Sequence, residues 1–205
     1  GGTGTWENTG SLNNWTSPTG AVNAAWAPNG FAIFQAKPGT VTVDNGNGQV
    51  SASGMQFDSD GYLVQGDNLT LAGGASSIIR VGNGTSTGAG VTATISAVLQ
   101  GATQLDKTDL GTLVLTGANT YTGGTAIDGG VLQVAGDGNL GAANGGLTFN
   151  GGTLQLGSSF DIGTGRAVVL NAPGGTIDTQ TFTSTLAQGM TGAGAFTKAG
   201  TGTLT

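Results

Sequence analysis

The sequence predicts an all-β fold: a right-handed parallel β-helix, or β-solenoid, with rungs of about 22 residues and an amino-terminal aromatic cap. Three observations support this prediction. Glycine supplies 42 of the 205 residues, while charged residues make up only 8%. Short apolar-polar-apolar triplets recur at a nearly constant spacing. No segment shows sustained helical periodicity.

The glycine content indicates turns rather than disorder. Apolar residues form 37% of the chain, which is enough to supply a buried core. Glycine adopts positive φ without a steric clash, so it suits the turns between many short strands. The polar surface is then built mainly from Thr, Ser, Asn and Gln.

The repeating unit is clearest in six triplets, which begin at Leu69, Val91, Leu113, Leu132, Leu154 and Ile177. Their first residues are separated by 22, 22, 19, 22 and 23 positions. A near-constant step is typical of stacked rungs, and the rule for parallel crossovers predicts a right-handed coil. Alternation within each strand directs Leu132 and Leu154 inward and Gln133 and Gln155 outward. The alternative is an antiparallel sandwich, with a strand roughly every 8 to 12 residues.

The first 40 residues differ from the rest, since they hold three of the four prolines and all three tryptophans, Trp6, Trp15 and Trp26. A terminal rung exposes apolar core and unpaired strand edges, which bulky aromatic residues and prolines can cover. We therefore predict one β-helical unit over residues 1–205, with a cap over 1–40 and stacked rungs over 41–205. An aromatic platform for sugar rings is the alternative role for the tryptophans.

Charge and residue content exclude several classes of function. The net charge is −6, and the five bases are scattered, whereas nucleic-acid binding needs clustered cations. The chain has no cysteine and no histidine, so it lacks disulfides, zinc-thiolate sites, His-ligated metals and Ser-His-Asp triads. We predict no enzyme activity, no catalytic residue, no cofactor and no metal site.

Carboxylate chemistry is the exception that composition leaves open. Asp58 and Asp60 form a close pair, but Asp-x-Asp-Gly is typical of a turn. We also interpret the acids on either side of Lys107 as part of a solvated turn. A carbohydrate-active enzyme would need acids and a base along one groove, and Asp161 with Arg166 is the candidate pair.

Several segments resemble a known family. Residues 113–125 read LVLTGANTYTGGT, and residues 127–134 read IDGGVLQV. Residues 198–205 read KAGTGTLT, with a looser copy at residues 107–113, 91 positions earlier. These segments resemble the passenger-associated transport repeat of bacterial autotransporters, although Asp109 and Leu110 depart from its Gly-x pattern. The positions that carry the resemblance are Gly111, Thr112, Leu113, Asn119, Tyr121, Gly123, Gly124, Gly129, Leu132, Lys198, Gly200, Gly202 and Leu204.

The resemblance implies a β-helical passenger of a type V secretion system, truncated here from a longer chain. It implies display at the surface of a Gram-negative cell, or release from it, after export through the periplasm and outer membrane. The expected role is adhesion, self-association or a β-helical stalk that supports export. The expected partner is a second copy of the chain, or else a glycan or protein of the host or of another surface. Membrane contact is expected only through a carboxy-terminal β-barrel outside this sequence. A polysaccharide lyase, a hydrolase or a carbohydrate-binding module is the alternative.

Overall fold

The computed structural model describes residues 1–8, 12–16 and 23–205. Pro18, one of the prolines of the predicted cap, lies outside these residues. The described strands are, in chain order, β1 (Gly4–Glu7), β2 (Trp15–Thr16), β3 (Asn23–Ala24), β4 (Gly30–Phe34), β5 (Thr40–Asp44), β6 (Ser51–Phe57), β7 (Tyr62–Gly66), β8 (Leu69–Leu71), β9 (Ser76–Val81), β10 (Thr92–Ile95), β11 (Leu99–Gln100), β12 (Gln104–Thr108), β13 (Thr112–Leu115), β14 (Thr125–Ile127), β15 (Val131–Val134), β16 (Leu147–Phe149), β17 (Thr153–Leu156), β18 (Val168–Leu170), β19 (Gly174–Asp178), β20 (Thr183–Ser184), β21 (Ala195–Ala199) and β22 (Thr203–Leu204).

The strands stack into two long parallel sheets that form a β-solenoid. Sheet 1 runs β1-β5-β7-β10-β13-β15-β17-β19-β21, and sheet 2 runs β11-β8-β6-β9-β12-β14-β16-β18, with β4 also paired to β6. The chain visits the two sheets in turn, so each strand pairs with its counterpart one coil away. The only helical elements in the described ranges are two short 3₁₀ turns, Ser86–Gly90 and Asp137–Leu140. The predicted all-β solenoid is therefore confirmed.

The register of sheet 1 confirms the spacing for most rungs. Leu113 pairs with Leu132, Leu132 with Leu154, and Leu154 with Ile177, giving steps of 19, 22 and 23 residues. Inward and outward faces also follow the predicted alternation. Leu132 and Leu154 are fully buried, whereas the Gln133 side chain lies outside and hydrogen-bonds its neighbour Gln155.

Two of the six predicted triplets were placed wrongly. Leu69–Leu71 forms β8 in sheet 2 rather than a rung of sheet 1. Val91 directly follows the 3₁₀ turn and precedes β10, and Ala93 is the residue that pairs with Leu113. The preceding step in sheet 1, from Tyr62 to Ala93, spans 31 residues because β8, β9 and the 3₁₀ turn all lie within it. Strand stacking tolerates such an insertion, because β8 and β9 both pair within sheet 2 and β7 still pairs directly with β10 in sheet 1.

Strands already join both sheets within the first 40 residues. Gly4–Glu7 pairs with Val41–Asp44 in sheet 1, and Gly30–Phe34 pairs with β6 in sheet 2. Trp6, Trp15 and Trp26 pack at this end with ring centroids 4.6 to 5.1 Å apart. The aromatic packing continues to Phe34, which stacks on Phe57 at 4.8 Å. No helix within the described residues is long and apolar enough to cross a membrane.

We predict that truncating one inward leucine destabilises the coil much more than truncating its outward neighbour. Leu154→Ala should lower the free energy of unfolding by about 2–5 kcal/mol, because it leaves a cavity between Leu132 and Ile177. Thr153→Ala, on the outer face of the same strand, should cost no more than about 1 kcal/mol. Urea unfolding followed by circular dichroism measures both values, and equal losses would contradict the assigned faces.

Candidate functional site

The most unusual side chain in the repeat region is Lys107, which points into the core. Its strand neighbours in sheet 2 are Ile79 and Ile127, so a lysine interrupts an inward apolar row. Lys107 is fully buried, and its Nζ donates to the carbonyl oxygens of Thr108, Asp109 and Gly129 at 3.0, 3.0 and 3.1 Å. Burial lowers the pKa of Lys107 to about 8, although the nearby Asp109 carboxylate opposes this shift. The ammonium thus joins two successive rungs at the turn between the sheets.

Asp109 occupies a left-handed backbone position in that turn, with φ 66°. Its carboxylate accepts hydrogen bonds from Arg80 Nε, Gly84 N and Leu110 N at 3.0, 2.7 and 2.8 Å. Burial alone would raise the pKa of Asp109, but these hydrogen bonds, led by that from Arg80, bring the pKa below its ordinary value. The departure from the repeat pattern therefore has a structural reason, since Asp replaces glycine and anchors the loop after β9.

The second copy of the repeat segment, residues 198–205, has the same local geometry, but its lysine lies in the other sheet. Lys198 Nζ donates to the carbonyl oxygens of Ala199 and Gly200, and Gly200 has φ 75°. Lys198 lies in sheet 1, however, paired with Ile177, whereas Lys107 lies in sheet 2. The 91-residue alignment thus captures a local turn and does not match equivalent positions in the coil.

The predicted solvated turn around Lys107 was wrong. Asp106 lies within strand β12 and is half-buried, and Asp109 has little exposed side chain. Burial raises the pKa of Asp106, and the neighbouring Asp128 adds to that rise. Alternation in β12 places Lys107 inside, and the register with Ile79 and Ile127 then buries it.

Asn119 and Tyr121 hold the opposite corner of the repeat. Asn119 Oδ1 accepts the backbone N–H of Leu99 at 2.8 Å, and its Nδ2 donates to the carbonyl of Asn139 at 2.6 Å. One amide thereby links the rung before it and the rung after it. The Tyr121 hydroxyl lies 2.7 Å from Thr125 Oγ1 in the core, and burial raises the pKa of Tyr121.

The remaining repeat positions serve packing and turns. Leu113 and Leu132 are buried partners in sheet 1, Thr112 lies on its outer side, and Leu204 in β22 pairs with Ser184. Close backbone approach requires a residue without Cβ at Gly111, Gly123 and Gly202, where an added Cβ would lie within 2.6 Å of a neighbouring main-chain atom. Gly124 adopts φ 84°, and Gly129 supplies a carbonyl to Lys107.

The predicted pairing of Arg166 with Asp161 was wrong. Arg166 is fully buried and binds Asp137 through Nε at 3.0 Å and Nη2 at 3.1 Å. Its Nη1 also donates to the carbonyls of Leu140 and Gly145. Asp161 instead accepts the backbone N–H of Thr185 at 2.9 Å. Arg166 therefore joins two rungs from inside, and sequence reasoning missed this pair because its members lie 29 residues apart.

The outer faces of the sheets are the surfaces available to a partner. A row on sheet 1 links Gln133 to Gln155 at 2.9 Å and Gln155 to Asp178 at 3.0 Å. The outer face of sheet 2 carries exposed Phe31, Ile33 and Ile78. Within the described ranges, no group of three or more acidic residues is arranged to hold a metal ion.

The coil, its inward rows and its buried corner residues define a parallel β-solenoid built from rungs. Residues 105–134 match the Passenger-associated-transport-repeat family. The Adhesin BmaC autotransporter of Brucella suis biovar 1 (strain 1330) is 52% identical over 210 residues, an alignment covering 100% of this chain and 6% of that protein. No solved structure matches the chain. The chain is a segment of an autotransporter passenger with passenger-associated transport repeats, and it spans about 6% of the length of the curated relative it matches.

We predict that Lys107 makes stability rise with pH. The folded pKa is about 8 and the ordinary value is 10.5, so between these values the unfolded chain holds a proton that the folded chain has released. The cost of burying the ammonium is complete below pH 8 and is relieved as the pH rises through this window. The relief is at most about 3 kcal/mol.

Urea unfolding of the parent chain and of Lys107→Met between pH 7 and pH 10 tests this, since titrations other than that of Lys107 are common to both proteins. The difference in the free energy of unfolding should increase in favour of the parent as the pH rises. A difference that does not change with pH would contradict the buried ammonium.

We also predict that Asp109 tolerates glycine better than alanine. Both substitutions remove the hydrogen bonds to Arg80, Gly84 and Leu110, but only glycine adopts φ 66° without cost. Asp109→Ala should therefore be less stable than Asp109→Gly by about 1 kcal/mol. Thermal and urea unfolding at pH 7 measure the difference, and identical stabilities would mean that the turn does not require a left-handed residue.

Proposed function

We propose that this chain is a non-enzymatic β-helical stalk in a surface-displayed adhesin, and that it presents its outer sheet faces for contact. The observation that carries the proposal is the continuous pairing of sheet 1 from β1 to β21. A coil of this kind keeps its length and direction because each rung is bonded along its whole strand to the next. The similarity to an autotransporter adhesin supports display outside a Gram-negative cell.

Cross-rung bonds inside the coil support a role in export as well. Lys107, Asn119 and Arg166 each bond backbone groups of a neighbouring rung from a buried position. A rung that folds outside the cell would offer the next one a complete set of partners, which hinders back-sliding of the chain. We propose in addition that Trp6, Trp15 and Trp26 cap the amino-terminal end of this core, because Trp6 and Trp26 are buried and the three rings pack on one another.

The polar faces support contact with partners rather than catalysis. Gln133, Gln155 and Asp178 form a hydrogen-bonded row along the outside of sheet 1. Amide and carboxylate groups in such a row suit a second copy or a host or surface glycan or protein. The arrangement of Arg166 and Asp137 inside the coil leaves neither residue free for acid–base chemistry.

We predict that a stalk tolerates the loss of one whole rung and not of half a rung. Deletion of residues 153–175 would place Thr176 after Gly152 and let β19 stack on β15, because Thr153 and Thr176 are register partners. Deletion of residues 153–163 removes about half of that length and destroys the register, so inward rows would meet outward ones.

The chain should be displayed on bacteria ahead of an outer-membrane export domain, with protease resistance, cell adhesion and bacterial clumping measured. The whole-rung deletion should keep display and most adhesion, whereas the half-rung deletion should lose both. Normal display with complete loss of adhesion after the whole-rung deletion would overturn the stalk and locate a discrete site in that rung. Size-exclusion chromatography over a range of concentrations separates self-association from adhesion to another partner.

A further inference from the structure

An open groove crosses the outer face of sheet 2 near the amino-terminal end. It is lined by Phe31 on β4, Gln56 on β6, Ile78 and Arg80 on β9, Thr108 at the end of β12 and Asp109 directly after β12. Its volume of about 490 Å³ falls within the range of roughly 300–1,000 Å³ that small-molecule clefts occupy. Strand register brings these residues together, because Gln56 pairs with Arg80 and Arg80 with Thr108.

The floor of the groove is apolar because a glycine in β6 leaves room for the side chain of a neighbouring strand. Gly54 lies between Phe31 and Ile78 in register, and the Phe31 ring lies over it, 2.7 Å from the place where a Cβ would stand. Phe31 and Ile78 remain 45% and 43% exposed. An exposed aromatic ring next to an exposed aliphatic residue offers a flat apolar platform.

One wall of the groove carries a positioned cation. Arg80 Nε donates to Asp109 Oδ2 at 3.0 Å, and Asp109 is itself held by the backbone N–H groups of Gly84 and Leu110. The Arg80 side chain is 39% exposed, and its Nη1 and Nη2 make no hydrogen bond to the described residues. Asp109 thus orients the guanidinium while leaving two nitrogen atoms to face a ligand. A planar pair of N–H donors matches a carboxylate.

Two neutral polar groups complete the site. Gln56 Nε2 donates to the carbonyl of Gly82 at 3.0 Å, which orients the amide and leaves Oε1 as an acceptor. The Thr108 hydroxyl has no partner among the residues that the structure describes. Both groups suit the hydroxyls of a sugar.

We propose that this groove binds an acidic glycan, with the apolar face of a hexuronate ring on Phe31 and Ile78 and its carboxylate on Arg80 Nη1 and Nη2. The free donors of Arg80 favour this occupant, because Nη1 and Nη2 can bind a carboxylate while Nε stays on Asp109. This site is independent of the stalk role, which stands if the groove binds nothing.

The test uses the chain with oligogalacturonate of four to six residues and with the same oligosaccharide fully methyl-esterified, which removes the charge and adds one methyl group to each carboxyl. Chemical shift changes in NMR titrations give the affinity. Acidic oligosaccharide should bind and shift the amides of β6 and β9, while the ester should bind at least about tenfold more weakly, the scale of one charged hydrogen bond. Equal binding of the ester, or no shift at about 10 mM of the acid, where an affinity of about 1 mM would saturate most of the sites, overturns the proposal.

Variants separate the two halves of the groove. Arg80→Gln should weaken binding of the acid about tenfold and leave that of the ester unchanged, whereas Phe31→Ala should weaken both about fivefold. Lys37→Gln removes an exposed base elsewhere and serves as the control. Phe31→Ala leaves the Arg80–Asp109 ion pair in place, so it tests the site even if Arg80→Gln unfolds the loop. Unchanged affinity in Phe31→Ala, or tighter binding of a peptide carboxyl terminus than of the glycan, would show that the assignment is wrong.

Discussion

In-register stacking of parallel strands about 4.8 Å apart is the constraint on which the rest of this structure depends. Each residue of a rung meets its register partner in the next, so the inward rows must be matched in size and polarity along the whole coil. Leu113, Leu132, Leu154 and Ile177 form such a row in sheet 1. A charged residue can enter an inward row only if the turns around it supply polar partners.

The buried polar residues follow from that constraint. Lys107 stands in an apolar row of sheet 2, and three carbonyl oxygens of the adjacent turns receive its ammonium. Arg166 is held in the same way by Asp137 and by carbonyls of the preceding rung. Such groups are costly to bury and costly to misplace, since a slipped rung would leave them without partners. They therefore specify register in a coil whose strands are otherwise similar to one another.

The same stacking also builds the outer surface. A residue on the outside of one strand gains neighbours only from the strands before and after it, so surface features form along the coil axis. The amide row on sheet 1 and the groove on sheet 2 are both of this kind. Gly54 illustrates the effect, because its missing side chain allows Phe31 of the preceding strand to lie flat and reach towards Ile78 of the next.

The sequence by itself determined the all-β class, the solenoid, the step of most rungs and the faces of Leu132 and Gln133, because these depend on local alternation and on a repeated spacing. The tertiary structure decided which residues of distant rungs meet. The stretch between Tyr62 and Ala93 holds two strands of sheet 2, and Leu69 lies in the first of them. The triplet spacing does not say which sheet a strand joins. Burial of Lys107, the Arg166–Asp137 pair and the groove at Arg80 all arise from contacts between rungs. These contacts depend on the strand register. The register is set by the combined lengths of all the turns, so it cannot be predicted from any one segment.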